Sequence, residues 1–206
     1  MVPKQFLLLA GLPVVMHSLQ AFHQTFPGIS LVLALPRNQF GYWADLCNLH
    51  HFTIPCTLVA GGNTRFHSVQ QALAAVEHDG LAAVHDGARP LVSAALIRSV
   101  FNLAEIHGNC VPVIPVNESI REVRDGRSIP VDRNSLRAVQ TPQVFHVQQL
   151  KAAYRQVFRE EFTDDATVVE SLGAAIFLAA GDPVNIKITH PHDLAVAEII
   201  IEKAVR

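Results

Sequence analysis

Short, almost wholly apolar runs at residues 29–35, 54–60, 81–84 and 110–116 constrain this chain more than any other feature. A strand with one solvated face alternates apolar and polar residues, whereas a strand covered on both faces need not. Between these runs the apolar residues recur at helical spacing. Val14, Val15, Leu19 and Phe22 fall on one face of such a segment, which Pro27 and Gly28 close. This strand–helix rhythm predicts an α/β fold with a doubly wound, mostly parallel, Rossmann-like sheet. Helices are expected over residues 14–26, 64–76 and 148–159. Asn38 and Ser93 are placed to cap two more, ending near His50 and His107. Thr163 is expected to cap a helix with Asp164 and Asp165 in its first turn, and Pro191 to open the last. Further strands are expected at residues 174–179 and 185–189.

The rhythm breaks at residues 119–131, which are polar and alternating around Asp125-Gly126. Asp-Gly between two extended runs is a strong hairpin signal. A lone hairpin is marginal in water, so this arm, about 117–136, is expected to lie on a second subunit. The rest reads as one domain over residues 1–206, without repeat or linker.

Composition then removes whole classes of function. With 50% hydrophobic and 17% charged residues the chain is too apolar for disorder. A net charge of -2 supplies no field for nucleic acid. No apolar run reaches the length of a membrane span, and residues 1–4 carry no signal-peptide pattern. Cys47, Cys56 and Cys110 lack C-x-x-C spacing and are expected to be reduced thiols in a cytoplasmic protein. Neither His50-His51 nor His190-Pro191-His192 matches a common zinc spacing.

The run at 81–84 ends abruptly in His85, Asp86, Gly87, Ala88, Arg89 and Pro90. In open α/β sheets, ligands sit beyond the carboxyl ends of strands. Asp86 could hold a metal or sugar hydroxyls there, and Arg89 a phosphate. The same two residues could equally be a pair that fixes a turn, because one D-x-x-R carries no motif specificity. Gly61-Gly62-Asn63 follows the strand before. Glycines there let the backbone approach a ligand, and a helix N-terminus favours anions or polar base edges. Many ordinary β–α turns also carry such a pair.

Seven stretches, taken together, carry more. They are PKQF (3–6), GGNTRFHSV (61–69), VHDGARP (84–90), VDRNSL (131–136), TPQVF (141–145), TDDATVVE (163–170) and NIKITHPHDLAVAE (185–198). In this order they resemble the 2-C-methyl-D-erythritol 4-phosphate cytidylyltransferases of non-mevalonate isoprenoid synthesis. The ribitol-phosphate cytidylyltransferases share PKQF, TPQ and NIKIT, but Val131-Asp132-Arg133-Asn134 favours the methylerythritol enzymes. The resemblance implies a homodimer that uses CTP, methylerythritol phosphate and Mg²⁺ and releases pyrophosphate. By resemblance, Lys4 and Lys187 flank the reacting phosphates. Gly62, Asn63 and Ser68 read cytosine, and Gly87 lies against the ribose. Asp86 meets substrate hydroxyls and the metal, and Arg89 serves the phosphate region. Ser119, Arg133, Thr141 and Thr163 form the acceptor pocket, with Arg133 reaching into a partner's site.

The chain also departs from the pattern. The family often has Asp at Asn63, and Asp-Thr or Asp-Ser at Glu118-Ser119. Arg65 is expected only to pair with an acid nearby. Family members place a strand and an AGGxGxRM-like loop before P-K-Q, and this chain starts almost at that segment. Without that strand a central strand is expected to lack a partner, and the nucleotide site to lie open. Two alternatives stay open at this point. One is transfer to another polyol phosphate such as ribitol 5-phosphate. The other is an inactive dimeric module.

Overall fold

The computed structural model describes residues 2–205. A 3-10 turn at Lys4–Phe6 leads into a minimal hairpin, β1 (Leu8–Leu9) and β2 (Leu12–Pro13). The chain continues through α1 (Val14–Thr25), β3 (Val32–Leu35), α2 (Phe40–Leu49), β4 (Thr57–Ala60), α3 (Arg65–Ala74) and β5 (Leu81–Val84). It then forms α4 (Ala94–His107), β6 (Asn109–Pro115), β7 (Ile120–Arg124), β8 (Arg127–Val131), β9 (Arg137–Val139) and β10 (Gln143–His146). Last come α5 (Val147–Ala153), α6 (Asp165–Glu170), β11 (Leu178–Ala180) and α7 (Pro191–Val205).

The α/β class holds. The larger sheet runs in the order β11-β6-β10-β5, with β9 also on β6. It is mixed. β11 is parallel to β6, while β10 runs antiparallel between β5 and β6. Period-two alternation sends β10 side chains to opposite faces. Phe145 enters a core with Phe66, Leu73, Leu150 and Val168 from α3, α5 and α6. Val144 enters another with Phe22, Leu96, Ile97 and Val100 from α1 and α4. Both faces of this sheet are therefore covered, which is why its central runs are so apolar.

β3 and β4 form a separate parallel pair, packed through Leu33 and Leu35 on Trp43, Leu46 and Met16. Among the described residues, β3 and β5 each bond a strand on one side only. That agrees with the expectation of an unpaired central strand. It also explains why all four residues of β5 are only half-buried.

The arm forms as the Asp-Gly signal predicts. β7 and β8 pair antiparallel, and Asp125 and Gly126 take φ of 48° and 74°, the left-handed conformation a tight hairpin turn requires. Ser93 caps α4 by accepting from Leu96 N, and Gly108 ends it at φ 87°. Five expectations need correction. Asn38 caps no helix, because it lies within a 3-10 turn and Gln39 holds the N-cap of α2 without a side-chain bond. The strand expected over 174–179 forms only at Leu178–Ala180. The cap of α6 is Asp164, not Thr163, because the Asp164 carboxylate reaches Thr167 N in a capping box. The helix expected over 148–159 ends at Ala153. Residues 185–189 alternate as expected, with Ile188 buried and Lys187 exposed, but they join no ladder. Ile188 N donates instead to Ala88 O at 2.8 Å, a contact between two loops.

Candidate active site

The site grows from the carboxyl end of β5. Asp86 Oδ2 lies 2.9 Å from Lys187 Nζ and 3.5 Å from Arg89 Nε. Its other oxygen lies 3.5 Å from Arg65 Nε. Burial alone would raise the Asp86 carboxyl. The bonded Lys187, with Arg65 and Arg89, outweighs burial and holds it below the usual carboxylate range. Three cations thus converge on one carboxylate. They come from the first residue of α3, the loop after β5 and the loop before α7.

Neighbouring groups hold this arrangement in register. Asp86 N donates to Thr141 Oγ1 at 3.1 Å. Arg89 Nη1 donates to Asn185 O at 2.8 Å and Nη2 to Val139 O at 3.4 Å. Asn185 Nδ2 donates to Thr141 O at 2.8 Å. Gln140 Nε2 donates to Asp182 O, and Asp182 N returns a bond to Gln140 Oε1. The loop that carries Lys187 is therefore tied to both the Asp86 turn and the Thr141 turn before the lysine itself is counted.

The Gly61-Gly62 turn borders the same end of the sheet through Arg65. Gly61 N donates to Leu35 O at 2.8 Å, and Gly62 N to Ser68 Oγ at 3.1 Å. A Cβ on Gly62 would fall 2.3 Å from His67 Cβ, so only glycine fits. Thr64 caps α3 by accepting from His67 N. Gly87 has less than a methyl's room: a Cβ there would meet Val15 Cγ2 at 3.3 Å.

Comparisons with known proteins span nearly the whole chain. The profile of IspD, 2-C-methyl-D-erythritol 4-phosphate cytidylyltransferase, matches residues 1–203. The chain belongs to this family. A Bacteroides thetaiotaomicron protein of that name is 47% identical over 199 residues, covering 97% of this chain and 91% of the relative. A Porphyromonas gingivalis member is 46% identical over 200 residues, covering 97% and 89%. The crystal structure of the Thermus thermophilus enzyme superposes with a TM-score of 0.83 at 32% identity, covering 97% of this chain and 94% of that one.

Of the residues expected to act in this IspD family member, the structure brings Asp86, Arg89, Lys187 and Thr141 into one bonded group. Gly62 and Asn63 lie in the turn before α3, with Asn63 exposed, and Ser68 in the first turn of α3 accepts from Gly62 N. Lys4, in the 3-10 turn, is exposed and makes no hydrogen bond or ion pair to that group among the described residues. Ser119 is exposed at the root of the arm, and Arg133 Nη1 donates to Asn117 O there. Thr163 is exposed beside Asp164, which accepts from Gln143 Nε2 at 2.8 Å. Sequence reasoning missed His85, Gln140, Gln143, Asp165 and Asn185, the polar groups that hold the others. All but Gln140 stood inside matched motifs, and the complete burial of Gln143, Asp165 and Asn185 was the signal the linear pattern lacked.

Proposed function

We propose that this chain transfers the cytidylyl group of CTP to 2-C-methyl-D-erythritol 4-phosphate and releases pyrophosphate. The observation that carries the reading is the family match over residues 1–203, joined to a strand-end carboxylate ringed by three cations. An acceptor phosphate oxygen bonds to the α-phosphorus as the bond from that phosphorus to the β-bridging oxygen breaks. Pyrophosphate leaves with the electron pair. The nucleophile is already anionic at neutral pH, so no general base is required. The difficulty is negative charge gathering at the α-phosphate, which positioned cations relieve.

Lys187 is the cation of the group most open to a phosphate, with 41% of its side chain exposed against 12% for Arg89. It is proposed to stabilise the transition state, with Lys4 as a second cation. Arg89 is assigned to the phosphate region, where its carbonyl bonds also hold Asn185 beside Lys187. Gly62, Asn63 and Ser68 are proposed to meet cytosine and Gly87 the ribose. Asp86 is proposed to meet substrate hydroxyls. Thr141, Thr163, Ser119 and Arg133 are assigned to the acceptor.

The residues present make no protein cage for Mg²⁺. Among the described residues no three His, Cys, Asp or Glu side chains cluster for a metal, and Asp86 already faces three cations. Mg²⁺ therefore enters the proposal only as the companion of the triphosphate. The working form is proposed to be a homodimer in the cytoplasm. The arm's exposed apolar residues and the free cysteines support this. No described helix is long and apolar enough to cross a membrane.

A panel of polyol phosphates incubated with CTP and Mg²⁺, read by pyrophosphate release, tests the assignment. Turnover is expected with methylerythritol phosphate. Turnover with ribitol 5-phosphate in its place would overturn the substrate, and no turnover with any acceptor would leave the inactive module.

A further inference from the structure

Arg65 makes two separate attachments. Its Nη1 and Nη2 donate to the two oxygens of Asp165 at 3.0 and 2.5 Å. Asp165 is 0% exposed, and its Oδ1 also accepts from the Tyr154 hydroxyl at 2.6 Å. A carboxylate so deeply buried requires a paired cation, which accounts for this fork. It does not account for the third donor. Arg65 Nε faces away from Asp165 and lies 3.5 Å from Asp86 Oδ1.

The places of these residues in the chain give the second attachment its meaning. Arg65 opens α3, directly after the turn of Gly61 to Thr64. Asp165 opens α6, two residues after Thr163. Asp164 between them is held by Gln143 Nε2, while Gln143 Oε1 accepts from Ala166 N at 2.9 Å. One planar group thus joins the nucleotide side of the site, the acceptor side and the carboxylate between them. The rigid fork of a guanidinium can hold two carboxylates at fixed angles, which a single ammonium cannot.

The geometry points to Arg65 as a positioning residue: anchored on Asp165, it sets Asp86 against the Gly61-Gly62 turn and the Thr163 loop. This rests on the proposed cytidylyl transfer at the same site. Arg65 acts through Asp86 and does not touch the reacting atoms.

Arg65→Lys tests it in the full-length protein. A lysine keeps a positive charge for Asp165 but gives up the second hold. The folded variant is expected to lose about ten-fold or more in kcat with little change in KM for CTP, because small misplacements of reacting groups cost large factors in rate. A folded Arg65→Lys protein with wild-type kcat overturns the inference. Should that variant not fold, Tyr154→Phe decides. It removes only the hydroxyl that steadies Asp165, so kcat is expected to fall several-fold at an unchanged KM for CTP. Unchanged kcat in Tyr154→Phe overturns the inference. Nuclear magnetic resonance supplies a readout without turnover. The Arg65 Nε–H signal is expected to move in Asp86→Asn, and a signal that stays in place overturns the contact. A wild-type protein that transfers nothing from CTP defeats the functional reading instead, and the resonance measurement still decides the place of Arg65.

Discussion

His85 stands one residue before Asp86 and meets Phe22 edge-on, with ring centroids 5.1 Å apart. Its Nε2 lies 3.1 Å from Arg89 O, which can only accept, so Nε2 carries the proton. Nδ1 then accepts from Thr141 Oγ1 at 3.1 Å, and that hydroxyl in turn accepts from Asp86 N. The bonds run in one direction from Asp86 through Thr141 to His85, and they require a neutral ring. Burial pushes the His85 pKa from 6.5 down to about 4. As pH falls through 6.5 the unfolded chain takes up a proton at this residue, while the folded chain does so only near 4. The contribution of His85 to stability is therefore complete above 6.5 and is lost between those two values. Denaturant unfolding from pH 7 to pH 4 is expected to show this, with at most about 1.4 kcal/mol per pH unit from one proton. His85→Gln should flatten the slope in that window. A slope as steep as in wild type would assign the acid sensitivity to other groups.

The arm is an element that its own chain leaves largely exposed. Its two strands pair only with each other, and Val123 and Ile129 are 68% and 57% exposed. Such a hairpin gains too little from burial to be rigid alone. Arg133 Nη1 bonds Asn117 O, which closes the root of the arm within one chain. An exposed contact of this kind contributes little, so it does not oppose a move of Arg133 onto a phosphate in a partner's site. Mixed dimers decide the matter. Arg133→Ala and Asp86→Ala homodimers are each expected to be nearly inactive. If the sites are shared, a dimer with one copy of each carries both defects in one pocket and neither in the other. Co-refolding should then restore up to about a quarter of wild-type activity from random pairing of subunits. Mixed dimers that form and stay inactive would place Arg133 in its own subunit's site.

At the scale of the whole molecule, the two sheet pieces differ in how their amides are held. β6 is flanked by β11, β10 and β9, and β10 by β5 and β6, whereas β3 and β5 are bonded on one side. Hydrogen exchange is expected to be slowest over residues 109–115 and 143–146, with alternate amides of 32–35 and 81–84 exchanging faster. Uniformly slow exchange in β3 and β5 would show both edges covered in solution. The α/β class, the hairpin at Asp125-Gly126, the cap of α4 and the segments that meet at the site are all written along the chain. Apolar period, turn residues and caps act over a few neighbours, so they are legible along the chain. Packing settled which strand lies beside which, and why Lys187 sits on a loop where alternation suggested a strand. It also decided that Arg65, 100 residues from Asp165 in the chain, reaches both that acid and Asp86. Those outcomes turn on burial and on where a charge finds its partner. Both are properties of the packed molecule, because the penalty for an unpaired polar group exists only once water has been excluded.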